Sequence, residues 1–270
     1  MYDRILVPVD GSAFSEEILA YATGIAKAGG AELSLLRVVS RVEDRADAQR
    51  DIEALAAEVS AQESTVIVGG EPDEVILGVA QRKPGTLIAM SSQGRSGLME
   101  AMLGSVAKSV VRATSEPVLI YRPRGAAAKD RRQPIGIKTV LLSLDGTPAS
   151  EVMAPQAAAM AKALGANLEV VQVILPGAQP DHNIPASDIR ESSYVKVRSE
   201  DYHTRYGVRT SWEVLHGEPV SALTRHVGSR RDVLLAMATR GQRPLETAIL
   251  GSVTGGCLRE SGVPILTRKP

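Results

Sequence analysis

A short polar segment combines groups that bind phosphate. Residues 91–105 read SSQGRSGLMEAMLGS, with glycines, serines and one arginine but no histidine, no cysteine and no pair of carboxylates. General acid–base and metal chemistry depend on such titratable side chains. Glycines instead let a backbone approach a ligand closely, and N–H groups at a helix start bind anions. The segment therefore predicts a phosphate-binding turn built on Gly94 and Gly97.

A second segment, residues 238–252, repeats the same skeleton. It reads ATRGQRPLETAILGS, so each segment has a small residue, two residues, a glycine, nine residues and then Gly-Ser. Neither segment is a Walker loop, GxxxxGK[ST], and no GxGxxG follows the first strand. The alternative is that the glycines only connect a strand to a helix. The recurrence of the spacing favours binding.

The end of each segment predicts the start of a helix. Gly104 would weaken a continuous helix, so we expect a break there, followed by a helix over VAKSVVRA. Ser105 is then either the N-cap of that helix or a hydroxyl turned toward a phosphate. The N–H groups of Gly104, Ser105 and Val106 would then face a phosphate. Arg95 and Arg243 could add positive charge.

Two copies of one unit must position these segments. Asp10 aligns with Asp145, Ser15 with Ser150 and Lys27 with Lys162, and the second copy is longer between its second and third strands. Strand-length apolar runs alternate with segments of helical spacing. The first copy has five such runs, RILVPVD, ELSLLRVV, STVIVG, TLIAMSS and PVLIY.

This alternation predicts an α/β fold of two tandem, doubly wound, open parallel five-stranded sheets with helices on both faces. We expect domains over residues 1–124 and 137–270, joined by a basic, solvated linker over 125–136. Pro155 should kink the first helix of the second copy. Ligands bind such sheets beyond the carboxyl ends of the strands, where Asp10 and residues 91–94 fall.

Composition excludes several classes of partner. The 31 basic and 31 acidic side chains cancel, which argues against a nucleic-acid or anionic-membrane surface. No run reaches the roughly 18 to 20 apolar residues of a membrane span. A single cysteine, Cys257, excludes an internal disulfide, and no signal peptide is recognisable at the start of the chain. We therefore expect a cytoplasmic protein.

In its two glycine segments, residues 91–105 and 238–252, and in the aspartates Asp10 and Asp145, the chain resembles the universal stress protein family in its tandem form. The family's ATP-binding pattern is a glycine, two residues, a glycine, nine residues and Gly-Ser or Gly-Thr, with an aspartate after the first strand and a backbone contact after the second. The matches in the first copy are Asp10, Val38, Gly94, Gly104 and Ser105. Those in the second copy are Asp145, Val173, Gly241, Gly251 and Ser252, and Val253 is the equivalent of Val106.

There are departures from the pattern. Ser91 and Ala238 stand where the family has its first glycine, and Pro244 stands where the first copy has Gly97. A small residue there keeps the backbone N–H but gives up the freedom to adopt a positive φ. The resemblance implies a Rossmann-like, HUP-like nucleotide-binding fold with ATP as its ligand, either alone or with Mg²⁺. We predict that backbone N–H groups hold most of the nucleotide.

Three functions remain open. The leading one is an ATP-binding regulator whose occupancy sets conformation or affinity for a protein partner, with slow or no hydrolysis and with a homodimer expected. The others are a slow ATPase or phosphotransfer enzyme, which would need a placed base, metal and cation, and a structural dimer module. Asp10 and Asp145 could help to hold Mg²⁺, hydrogen-bond a ligand or cap the next helix. The four histidines lie only in the second copy, and we expect Cys257 and Trp212 to be packed side chains.

Overall fold

The computed structural model describes residues 2–94, 103–125, 128–175, 185–239 and 249–269. The chain forms two compact units, Met1–Gly136 and Ile137–Pro270. In the described residues each unit contains a five-stranded parallel sheet surrounded by helices, as the sequence predicts.

The first unit has five described strands, with its first strand at the centre of the sheet. The strands are β1 Arg4–Pro8, β2 Glu32–Val39, β3 Glu63–Val68, β4 Thr86–Ser91 and β5 Val118–Tyr121. Their order in the sheet is β3-β2-β1-β4-β5, and Arg4 of β1 pairs with both Glu32 and Thr86. The helices are α1 Ala13–Glu16, α2 Leu19–Gly29, α3 Arg45–Val59, α4 Pro72–Gln81, α5 Ser105–Ala113 and α6 Ala128–Arg132.

The second unit repeats this topology. Its strands are β6 Thr139–Leu144, β7 Asn167–Ile174, β8 Thr210–His216, β9 Val233–Ala238 and β10 Ile265–Arg268. Their order in the sheet is β10-β9-β6-β7-β8. Its helices are α7 Pro148–Glu151, α8 Ala154–Leu164, α9 Pro185–Tyr206, α10 Pro219–Val227 and α11 Ser252–Glu260. Helix α9 has 22 residues where its counterpart α3 has 15, which accounts for part of the extra length of the second copy.

Helices cover both faces of the first sheet. On β2, Arg37 pairs with Asp51 of α3, while its neighbours Leu36 and Val38 line a cavity together with Ile76 of α4. Successive side chains of a strand point to opposite faces, so α3 and α4 lie on opposite sides of the sheet. The central strands β1 and β4 are mostly apolar, and all of their residues except Pro8 and Thr86 are buried, because both of their faces are covered.

Two local expectations are wrong. Trp212 is 40% exposed rather than buried, because it lies on β8, a strand at the edge of its sheet. Pro155 does not kink a continuous helix; α7 ends at Glu151 and α8 begins at Ala154, with the proline in its first turn. The first copy breaks in the same way between α1 and α2 without a proline, so the break belongs to the unit and the proline is tolerated at a helix start.

The segment expected to be a solvated linker folds onto the first unit. It contains α6, and two of its basic residues form ion pairs: Arg131 lies 3.6 Å from Glu16, and Arg132 lies 2.6 Å from Glu58. The side chains of Arg131 and Glu16 are only 15% and 14% exposed. The basic composition of the segment did not predict these ion pairs with Glu16 on α1 and Glu58 on α3.

Among the described residues, no helix combines the length and apolarity needed to cross a bilayer.

Candidate functional site

A cavity of about 290 Å³ opens at the carboxyl ends of β1, β2 and β4 in the first unit. One side of it is apolar, with Leu36 and Val38 from β2 and Ile76 from α4. The other side is made by the glycine segment, with Gly94, and by the start of α5. The predicted site residues Asp10, Val38, Ser91, Gly94, Gly104, Ser105 and Val106 all line this cavity.

Asp10 is positioned by the turn that begins α1. Its Oδ1 accepts a hydrogen bond from the backbone N–H of Ser12 at 2.8 Å, and its own N–H donates to Ser15 Oγ at 3.2 Å. Ser12 in turn caps α1 by accepting from the N–H of Ser15. Of the roles expected for this aspartate, one oxygen therefore holds the helix start, and Oδ2 faces Gly94.

Gly94 is required by close approach rather than by backbone conformation. Its φ is not positive, but a Cβ added there would overlap Asp10 Oδ2. Any other residue would displace the carboxylate or the turn. Sequence spacing indicated the glycine, but its physical reason is a contact between residues far apart in the chain.

Gly104, and not Ser105, is the N-cap of α5. Gly104 is extended, with φ −64° and ψ 164°, and its N–H donates to the Ser92 carbonyl at 2.7 Å. Ser105 is consequently the first helical residue, which corrects the expected N-cap. The N–H of Lys108 closes the first turn on the Gly104 carbonyl at 2.9 Å. The N–H groups of the residues between them have no partner within the helix and lie at the cavity.

The second unit repeats this construction. Asp145 Oδ1 accepts from the N–H of Thr147 at 3.0 Å, and the Asp145 N–H donates to Ser150 Oγ at 3.3 Å. Gly251 is the N-cap of α11, its N–H donates to the Thr239 carbonyl, and Ser252 is the first helical residue. Val253 follows in the same helix, and Val173 lies on β7, paired with Leu215.

The two departures from the glycine pattern impose no backbone strain. Ser91 is the last residue of β4 and Ala238 the last residue of β9, so both are extended and neither requires a positive φ. Four further predicted residues, Arg95, Gly97, Gly241 and Arg243, lie outside the described part of the chain, together with Pro244.

A pair of buried hydroxyls was not assigned a role from the sequence. Ser92 and Thr239 occupy equivalent positions directly after β4 and β9, and both are buried. Neither Ser92 Oγ nor Thr239 Oγ1 makes a hydrogen bond to the described protein. Their equivalence in the two copies was the available signal, since each residue follows the first small residue of its segment.

Two of the histidines considered for catalysis or metal binding lie beside other groups of the protein, a backbone carbonyl and a glutamate side chain. His203 Nδ1 lies 2.8 Å from the Val208 carbonyl, and His226 Nε2 lies 2.9 Å from Glu169 Oε1. His216 ends β8, and His182 is outside the described residues. Across the ranges that the structure covers, no group of three or more histidine, cysteine or acidic side chains is arranged to hold a metal ion.

Cys257 is fully buried in α11, as expected for a packed thiol. Burial raises the pKa of its thiol to about 12, so little nucleophilic thiolate forms near neutral pH.

We expect the native protein to resist an aromatic disulfide reagent at pH 8 and the guanidinium-unfolded protein to react with one equivalent. The absorbance of the released thiolate measures both, and rapid labelling of the native protein would contradict the buried placement.

Comparison with known proteins places both units in one family. The model described as "Universal stress protein family" matches residues 1–122 and again residues 136–269. Universal stress protein YxiE of Bacillus subtilis is 34% identical over 148 residues, covering 45% of this chain and 100% of the relative. A universal stress protein of Mycolicibacterium smegmatis is 23% identical over 291 residues, covering 98% of this chain and 97% of the relative.

A solved structure matches along the whole chain. The crystal structure of a universal stress protein from Archaeoglobus fulgidus has a TM-score of 0.68 and 23% identity, covering 98% of this chain and 96% of that one. At this identity the likeness supports the fold, with its two tandem units.

Proposed function

The chain belongs to the universal stress protein family, and we propose that it is an ATP-binding regulatory protein whose nucleotide occupancy sets its conformation or its affinity for a protein partner. One observation carries the proposal. An apolar slot, a glycine-lined turn and the free N–H groups of a nine-residue helix meet in one cavity, and the described part of the second unit repeats the aspartate turn and the helix start. A cytoplasmic homodimer is part of the same proposal.

We assign the parts of the nucleotide to separate regions of the cavity. Leu36, Val38 and Ile76 offer an apolar surface that suits a planar base. The triphosphate fits against Gly94 and the N-terminus of α5, where the N–H groups carry partial positive charge. Asp10, between these two regions, suits a ribose hydroxyl as a hydrogen-bond acceptor.

A magnesium ion accompanying the triphosphate would find one carboxylate among the cavity residues, that of Asp10. One of its oxygens already holds the N–H of Ser12, so the phosphates would supply most of the ion's ligands. Such an ion would neutralise phosphate charge. No lysine or histidine lines the cavity in the described residues.

We expect ATP to copurify with the protein and to be hydrolysed far more slowly than once per second. Backbone N–H groups that hold the ground-state triphosphate as well as any transition state provide affinity without rate. Kinases that turn over at roughly 1 to 100 per second position a base, a metal and a cation together. Mass spectrometry of small molecules released on denaturation tests retention, and phosphate release with Mg²⁺ present tests turnover.

The matched control is a Gly104→Glu, Gly251→Glu double variant prepared identically, which corrects for contaminating ATPases. Turnover above about one per second in the parent, lost in the double variant, would favour the enzymatic alternative. Failure of the parent to retain or bind any adenine nucleotide would favour a structural module instead.

A further inference from the structure

A buried carboxylate fixes the chain where it leaves β5. Glu17 is 3% exposed, and its two oxygens accept the backbone N–H groups of Arg124 and Gly125, each at 2.7 Å. Hydrogen bonds to an ionised acceptor are stronger than neutral ones. In the second copy the equivalent residue is Val152, so this contact belongs to the first unit alone.

The described chain beyond this point is held by several contacts. We call residues 124, 125 and 128–136 the strap. Arg131 and Arg132 both lie 3.6 Å from Glu16, and Arg132 also pairs with Glu58. At its far end, the N–H of Ile135 donates to the Ala20 carbonyl at 2.9 Å. The second unit begins directly after the strap, at Ile137.

Gly24 makes room for the strap. It lies in the middle of α2, and a Cβ added there would overlap the Ile135 carbonyl. Glycine is a poor helix former in such a position, so close approach of another backbone is the reason for it. The second copy has Ala159 at the equivalent place, and that alanine is exposed.

The residues that hold the strap adjoin a residue of the cavity. Ser15 lines the cavity, and its carbonyl accepts from Ser91 Oγ at 3.3 Å, while Glu16 and Glu17 follow it directly. Ser15 and Glu16 belong to α1, and Glu17 follows it. This helix has four residues and is too short to be stable alone. Besides its cap at Ser12, α1 is held on one side by the contact of Ser15 at the cavity and on the other by the contacts of Glu16 and Glu17 with the strap.

We propose that docking of the strap and nucleotide binding in the first unit are coupled through α1, so that each strengthens the other. The coupling rests on the proposed function, because it requires a nucleotide in the cavity. A ligand that orders α1 fixes Glu16 and Glu17 for the strap, and a docked strap holds Ser15 and the Asp10 turn for the ligand. Linkage requires the two effects to be equal in size.

Gly24→Ala tests the coupling, with Gly29→Ala as its matched control. Both substitutions put the same methyl group on α2, where alanine is the better helix former. The Cβ at position 24 collides with the strap, whereas the Cβ at position 29 meets nothing within 4 Å. The first variant should undock the strap without weakening the helix, and neither residue lines the cavity.

Strap docking is measured by the rate of trypsin cleavage after Arg131 and Arg132, with the cut sites identified by mass spectrometry, and ATP affinity by calorimetry. We expect ATP to slow this cleavage in the parent. Gly24→Ala should speed it and weaken ATP binding roughly five- to tenfold relative to Gly29→Ala. Glu17→Gln, which sets an amide NH₂ against a backbone N–H, should act in the same direction.

Three results would overturn the inference. The coupling is wrong if Gly24→Ala exposes the strap while its ATP affinity equals that of Gly29→Ala, or if bound ATP leaves the cleavage rate unchanged. Docking itself is wrong if the strap stays protected in both Gly24→Ala and Glu17→Gln. Absence of ATP binding in the parent is a different result, because it refutes the proposed function and, with it, the coupling.

Discussion

Replacing Gly104 with glutamate will abolish ATP binding to the first unit. An added Cβ would lie 3.3 Å from the Ser92 carbonyl, and Gly104 lines the cavity, so a glutamate there brings bulk and negative charge to the start of α5. Its carboxylate would repel the triphosphate that we propose to bind there. We expect affinity to fall by more than about 100-fold, equivalent to about 2.7 kcal/mol.

Calorimetry in a Gly251→Glu background isolates the first-unit site for this measurement. The matched control is Ser92→Ala, because Ser92 is the residue whose carbonyl accepts the hydrogen bond from the Gly104 N–H. Ser92 Oγ is buried and has no hydrogen-bond partner in the described protein, so its loss removes an unsatisfied polar atom and leaves the Ser92 carbonyl in place. We expect a change in affinity of less than about threefold. Equal affinities for the two variants would refute the placement of phosphate at Gly104.

Replacing Gly94 with alanine will displace Asp10 and weaken ATP binding by roughly tenfold or more, about 1.4 kcal/mol. The new methyl group would overlap Asp10 Oδ2, while Oδ1 is tied to the N–H of Ser12. The carboxylate cannot move away without disturbing the turn that begins α1. Calorimetry measures the loss, and Gly78→Ala on α4, where a Cβ meets nothing within 4 Å, is the control for adding a methyl group to a glycine.

A double-mutant cycle shows whether Gly94→Ala acts through Asp10. If it does, Asp10→Ala will lose a similar share of affinity, and the Asp10→Ala, Gly94→Ala double variant will be little worse than either single variant. Fully additive losses would show that Gly94 acts on the nucleotide independently of the aspartate.

The sequence by itself determined the features that repeat along the chain. Strand-length apolar runs, helical spacing between them and a duplicated register predicted two α/β units, because secondary structure is set largely by local pattern. The aspartate after the first strand and the glycine segment after the fourth had to meet, since the carboxyl ends of parallel strands share one edge of a sheet. For the same reason Asp10 and residues 91–94 could be expected at one edge of the sheet before the fold was known, whereas Val38 was indicated only by the family resemblance.

Only the tertiary structure decided contacts between distant residues for which no repeat exists. Gly94 and Asp10 approach each other because β4 pairs with β1. Gly104, rather than Ser105, caps α5 because its N–H reaches the Ser92 carbonyl. Trp212 is exposed because β8 is an edge strand, and the strap is docked because Glu17 meets the chain leaving β5. Such contacts depend on where whole elements pack, and local propensity carries no information about that placement.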